Sequence, residues 1–150
     1  MGARAVLDTN IWVSALLNPK GPPARLLAAF VEGSYSVIVS APLLEELAEV
    51  LGRPRFRDKY AITSEDLVEL LTLIEERAEQ VLLRGDVGIC RDPDDDMVIE
   101  TAIRGEASHL VTRDDDLKFD PIVAAFLSNH GVTVITVAKF LAFIGNPSSR

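Results

Sequence analysis

Cysteine is nearly missing from this sequence: Cys90 is the only one in 150 residues. No internal disulfide can form, so stability must come from a packed core. Histidine is almost as scarce, and His109, His130 and a single thiol cannot assemble a Cys/His zinc centre. Any metal would have to be held by oxygen. No stretch approaches the roughly 20 apolar residues of a membrane span, and residues 1–7 lack the basic region, apolar run and cleavage site of a secretory leader. A soluble, cytoplasmic protein without membrane association is therefore expected. What the chain does have is 48% hydrophobic residues, enough for one core at this length. One domain over residues 1–145 is expected, followed by a loose tail at 146–150.

Positive charge is in deficit as well. The formal net charge is -8, which by itself argues against a polyanionic partner. The distribution of charge points the other way. Asp92, Asp94, Asp95, Asp96, Asp114 and Asp116 sit in two short segments, and divalent cations bound there would reverse the sign felt by a phosphate. Arg53, Arg55, Arg57 and Lys59 lie within seven residues. That run has two readings, a phosphodiester contact or a solvated loop after a helix.

The hydrophobic pattern predicts alternating strands and helices. Residues 3–7 form a short apolar run ending at Asp8, read as a buried strand, and 10–17 follow as a helix. Residues 18–23, with Gly21 among prolines, read as a loop before a helix over 24–31 that stops near Gly33. A strand at 35–39 precedes Ser40, placed to cap a helix with Pro42 in its first turn and Leu43, Leu44, Leu47, Val50 and Leu51 on its apolar face. Thr63 and Asp66 resemble a capping box, opening a helix marked by Leu67, Leu70, Leu71, Ile74 and Ala78. A minor strand at 81–83, a helix from Asp95 to Arg104 closed by Gly105, a strand at 109–112, a helix at 121–129, a strand at 132–135 and a helix at 137–144 complete the chain. Such alternation implies right-handed crossovers and a mostly parallel sheet covered on both faces. Ligands in such sheets bind beyond the carboxyl ends of the strands.

Asp8, Glu45, Glu46 and Asp114 all fall towards that edge, and Asp95 and Asp96 open the helix feeding the strand before Asp114. Taken singly, each acid is explained as a turn or cap residue. Together they are harder to dismiss, because two carboxylates about 4 Å apart repel by about 4 kcal/mol at an effective dielectric near 20. A cluster must bind cations, take up protons or destabilise the fold. Oxygen-only ligands select Mg²⁺ or Mn²⁺.

Four segments, VLDTN at 6–10, SAPLLEEL at 40–47, RDPDDDMVIETA at 91–102 and LVTRDDDL at 110–117, resemble the PIN-domain family. They resemble most its branch of VapC-like ribonucleases, the toxins of toxin-antitoxin pairs. The match covers almost the whole chain. It implies a three-layer α/β/α sandwich with a five-stranded parallel sheet and divalent metal in an acidic groove, used for endonucleolytic RNA cleavage that leaves 5′-phosphate and 3′-hydroxyl ends. Asp8 matches the first family acid, with Thr9 and Asn10 as the supporting polar residues after it. Glu46 matches the second, which makes Glu45 an outward neighbour. The third has two readings: counting back from Ala102 gives Asp95, whereas anchoring on the apolar Met97 to Ile99 gives Asp96. Asp114 matches the fourth acid, preceded by Thr112, and Asp116 matches an accessory acid. Arg91 and Arg113 are candidate phosphate contacts, or ordinary surface arginines balancing nearby acids. An antitoxin protein and a second copy of the chain are the partners the resemblance implies.

Two rival readings stand beside this one. A haloacid-dehalogenase-like phosphatase also places an Asp after its first strand but wants a second Asp two residues on, where this chain has Asn10. A PIN-like module that binds metal or protein without cleaving is the other, and the filled acidic positions count against it. Ser40 has no histidine beside it in sequence and reads as a cap, not a nucleophile, while His109 and His130 read as structural.

Overall fold

The structure is a computed structural model, and it describes residues 2–90, 93–113 and 120–145. Five strands, β1 (Arg4–Leu7), β2 (Ser36–Ser40), β3 (Glu79–Val81), β4 (His109–Val111) and β5 (Thr133–Ile135), form one sheet in the order β3-β2-β1-β4-β5. Every neighbouring pair is parallel, with Leu7 opposite Val111 and Ser40 opposite Val81 at the carboxyl edge.

The strands are short and apolar because both faces are covered. Ala5 and Leu7 of β1 join Val37, Val39 and Val111 on one face, while Val6 joins Ile38 and Leu110 on the other, as the two-residue period of a strand requires. The first face packs against α1 (Thr9–Leu17), α2 (Pro22–Val31), α3 (Ala41–Leu51), α5 (Ser64–Arg77) and the last helix, α8 (Val137–Gly145), through Trp12, Leu26, Phe30, Leu47, Leu51, Ile74 and Phe140. The second packs against α6 (Pro93–Arg104) and α7 (Pro121–Asn129) through Val98, Ile99, Ala102, Val123 and Leu127. The α/β/α sandwich with its five-stranded parallel sheet is thus the observed fold.

Local chemistry explains most element ends. Thr63 accepts from the Asp66 amide at 3.0 Å while the Asp66 carboxylate accepts from the Thr63 amide at 2.9 Å, the full reciprocal box expected from the sequence. Pro22 opens α2 two residues earlier than the loop reading allowed, since a proline in the first turn gives up no needed N–H. The same rule accounts for an element the apolar pattern misses. Residues 54–60 are not an irregular loop but a helix, α4 (Pro54–Tyr60), with no buried residue. Its end is a left-handed Ala61 at φ 53°. At the end of α6, Gly105 lies so close to β2 that an added Cβ would overlap the Ile38 side chain. That contact draws α6 tightly onto the sheet.

Candidate active site

The chain leaves β1 for β2 and β3 on one side, then crosses over to β4 and β5 on the other. The connections therefore diverge between β1 and β4, and the crevice beyond their carboxyl ends is the favoured ligand position in an open parallel sheet. Asp8 stands there at the end of β1. It occupies the N-cap position of α1, with extended backbone at φ -60° and ψ 149°, yet its side chain makes no capping hydrogen bond. Its carboxylate instead accepts from the Thr112 hydroxyl at 2.9 Å, across the β1–β4 divide. Asp8 is only 8% exposed and Thr112 is fully buried. The amino end of α1 stabilises negative charge at this point.

The next acid is reached through Thr9, whose hydroxyl donates to Glu46 Oε2 at 3.2 Å. Glu46 is half-buried on α3, while Glu45 is exposed and turned outward, the register expected from the helical leucines. Asn10 is exposed at the start of α1. Asp8, Thr9, Glu46 and Thr112 thus form a linked group drawn from β1, α1, α3 and the residue after β4.

On α6 one of the two aspartates is committed to structure. Asp96 Oδ1 accepts from the Ile89 amide at 3.0 Å and the Cys90 amide at 2.9 Å, so its carboxylate fastens the loop that precedes the helix. Its neighbour Asp95 stands in the same first turn. Cys90, beside them, is a poor thiolate. Burial, then its hydrogen bond to Asp96 and the charges of Asp96, Asp95 and Asp120, push its thiol up to about 12.

Asp114, Asp116 and Arg91 lie outside the described residues, as does the tail at 146–150. Among the described residues no three Asp, Glu, His or Cys side chains come close enough to hold a metal ion by themselves. The donor chemistry nevertheless fits a hard cation, because every group in the linked set offers oxygen and none offers imidazole or thiolate. Arg113 is exposed, with one long contact of 3.5 Å to Ser14. Arg53 grips Glu49 through two hydrogen bonds of 3.0 and 2.8 Å, and Arg57 donates to Ser64 at 2.6 Å. Arg55 and Lys59 are exposed on α4.

Two polar groups central to the site's framework escape sequence reading. Glu100, 2% exposed, accepts from the Arg84 and Gly85 amides and from Arg104, which in turn makes a two-point pair with Asp86. The only signal is an acid inside an otherwise apolar helix face, one turn after Asp96 (i, i+4). Ser40 is the other, placed by the sequence to cap α3. Its hydroxyl makes no cap hydrogen bond and instead meets Thr101 Oγ1 at 2.8 Å, while Thr101 donates to the Met97 carbonyl at 2.7 Å. With Ser40 and Thr101 fully buried, a hydroxyl pair between sheet and helix satisfies both without water.

Fold and site together define a parallel α/β domain with acids and threonine hydroxyls gathered at its topological switch point. Residues 4–116 match the model of the PIN domain, and the chain belongs to the PIN-domain family, whose fold is that of a nuclease. It is 30% identical over 114 residues to the uncharacterized protein MJ1680 of Methanocaldococcus jannaschii, a match spanning 76% of this chain and 72% of that protein. Its fold is similar to the structure of VapBC2 from Rickettsia felis bound to a DNA fragment from their promoter, with a TM-score of 0.58 and 18% identity over 89% of this chain and 98% of the other. It is also similar to FitAB bound to the IR36 DNA fragment, with a TM-score of 0.54 and 16% identity over 89% of this chain and 94% of the other.

Proposed function

We propose that this PIN domain is a Mg²⁺- or Mn²⁺-dependent endoribonuclease acting as the toxin of a toxin-antitoxin pair. The observation that carries the reading is Asp8: a nearly buried carboxylate at a helix N-cap that does not cap, held by a hydroxyl from the neighbouring strand, at the crevice where such sheets bind ligands. A structural aspartate in that place would be expected to satisfy the α1 amides. Asp8, Glu46, Asp95 and Asp114 would hold the metal, with Asp116 as an accessory and Asp96 fixing the helix that carries Asp95. When bound, the divalent ion supplies the positive charge that activates water and stabilises a phosphodiester under in-line attack.

The chain's own groups have separate tasks. Thr112 fixes the Asp8 carboxylate and Thr9 fixes that of Glu46, so both acids are oriented before substrate arrives. Arg53, Arg55, Arg57, Lys59, Arg91 and Arg113 are the cations proposed to contact phosphates of the RNA. No side-chain nucleophile is required, and the buried Ser40 hydroxyl, already paired with Thr101, is unsuited to be one. The likeness to VapBC2 and FitAB supports an antitoxin protein as partner; a second copy of this chain and a cytoplasmic location are proposed with it.

The test is RNA cleavage by the purified chain with Mg²⁺ or Mn²⁺, with a chelator control, an Asp8→Asn control and a phosphatase assay alongside. Cleavage only with metal, lost in Asp8→Asn, supports the reading. Phosphatase activity without RNA cleavage, or intact RNA under every metal condition, overturns it. Growth arrest on induced expression, relieved by Asp8→Asn, is the expected cellular counterpart for a toxin.

A further inference from the structure

The basic run after α3 contains more than cations. Its helix, α4, carries two aromatic residues one turn apart, and the Phe56 and Tyr60 rings stack with centroids 6.2 Å apart and planes inclined by 22°. The Arg55 guanidinium lies over the Phe56 ring at 5.7 Å and the Lys59 ammonium over the Tyr60 ring at 5.4 Å. Phe56 packs on the core beneath, whereas Tyr60 is 42% exposed. The result is an outward-facing aromatic step edged by positive charge, on a protein whose overall charge is -8.

Its position relates it to the acids. Arg53, the extended residue that opens α4 two positions past the end of α3, reaches back to Glu49 on α3. Arg53 is raised above its ordinary value by its hydrogen bonds and charge pairing with Glu49, and also by the charge of Glu46. Beside α4 an open cleft of about 510 Å³ is lined by Pro54, Arg57, Asp58, Ile62, Thr63 and Ser64, among others. That volume lies in the range of small-ligand sites.

We infer that α4 is a stacking platform for an unpaired base of the RNA substrate, with Tyr60 presenting the stacking face and Arg55 and Lys59 flanking it as phosphate contacts. This rests on the ribonuclease reading for the identity of the strand and adds to it the residues that receive one of its bases. Stacking needs a base whose face is free, which a continuous duplex does not offer, whereas cations grip either form. A surface built only to hold phosphates has no use for an exposed ring among its cations.

The experiment measures binding of a labelled single-stranded oligouridylate, and of a blunt RNA duplex of equal length, by fluorescence anisotropy in chelator, where cleavage does not run. Tyr60→Ala should weaken single-strand binding by about 5- to 150-fold, the range measured for one stacked base, and leave duplex binding unchanged. Tyr60→Phe, which keeps the ring, should restore it. Arg55→Gln and Lys59→Gln should weaken both forms and each lower the salt dependence by about one phosphate contact. Circular dichroism melts confirm that these exposed substitutions leave the fold intact. Equal single-strand binding by Tyr60→Ala and the parent overturns the platform, as does an equal loss on single strand and duplex. Because cleavage is not read, the two proposals fail separately. A parent that binds through Tyr60 but never cuts RNA with metal sinks the nuclease and leaves the platform standing.

Discussion

Acids in this protein are held in two contrasting ways. On α6, Asp96 and Glu100 receive main-chain amides of residues 84–90, two each. At the sheet edge, Asp8 and Glu46 receive threonine hydroxyls. An amide in a folded loop cannot turn away when a carboxylate is lost, so it is left unsatisfied at full desolvation cost. A hydroxyl can rotate to another partner, and its acid can be neutralised without stranding a backbone group. The first arrangement builds structure, and the second keeps carboxylates oriented and exchangeable.

The largest effect expected from this contrast is at Glu100. Glu100→Ala should cost about 3–5 kcal/mol, since Arg104 and two amides lose a buried charged partner, measured by urea denaturation at neutral pH. A loss below about 1 kcal/mol would remove the basis for treating the α6 acids as framework. Asp8→Asn should behave in the opposite way, lowering metal-dependent cleavage at least about a hundredfold, the scale of one lost electrostatic contact in a transition state. Its metal-free stability should be unchanged or higher, because repulsion with neighbouring acids falls. Asp114→Asn is expected to follow the same pattern.

The aspartate pair of α6 sharpens the contrast further. Asp96→Asn should lose about 1–3 kcal/mol of stability by weakening the acceptor for the Ile89 and Cys90 amides, whereas Asp95→Asn should lose cleavage and keep its melting point. The reverse outcome would exchange their roles. On α3, Glu46→Gln should stop cleavage and Glu45→Gln should be nearly silent in both cleavage and denaturation assays. The smallest effect concerns His109, which packs its ring against Phe140 and Phe143 at 5.2 and 4.7 Å. Burial holds its folded-state value below the ordinary 6.5. The unfolded chain therefore takes up the proton first, so stability is full above pH 6.5 and declines as pH falls below it. Comparing urea midpoints of the parent and His109→Gln at about pH 8 and about pH 5.5 checks this, the variant showing the smaller drop.

Much of the architecture was legible because local and long-range signals agreed. The Thr63–Asp66 box, the proline-led helices and the apolar strands each state one conformation, and a parallel sheet with helices on both faces follows from alternation once crossovers are right-handed. α4 escaped because it buries nothing, so no apolar period betrays a helix held mainly by a proline start. The duties of Ser40, Asp96 and Glu100 escaped for another reason. Their partners are loop amides or a hydroxyl on another element, and residue type does not record whether an oxygen caps its own helix or reaches a neighbour. Asp8 could be placed from its position at the end of β1, and the exposed Glu45 and half-buried Glu46 from the register of the α3 leucines. The tie of Asp96 to the Ile89 and Cys90 amides needed the folded loop over residues 89–90.

One consequence follows from the strand order. β1, made first, has β4 as one of its two neighbours, and the link from Thr112 to Asp8 spans 104 residues of chain. During synthesis β1 can pair with β2 well before β4 exists, and the β1–β4 side of the sheet stays open until β4 has left the ribosome. Contacts so distant in sequence are the slowest to close. A growing chain therefore carries Asp8 without its Thr112 partner until β4 has been made.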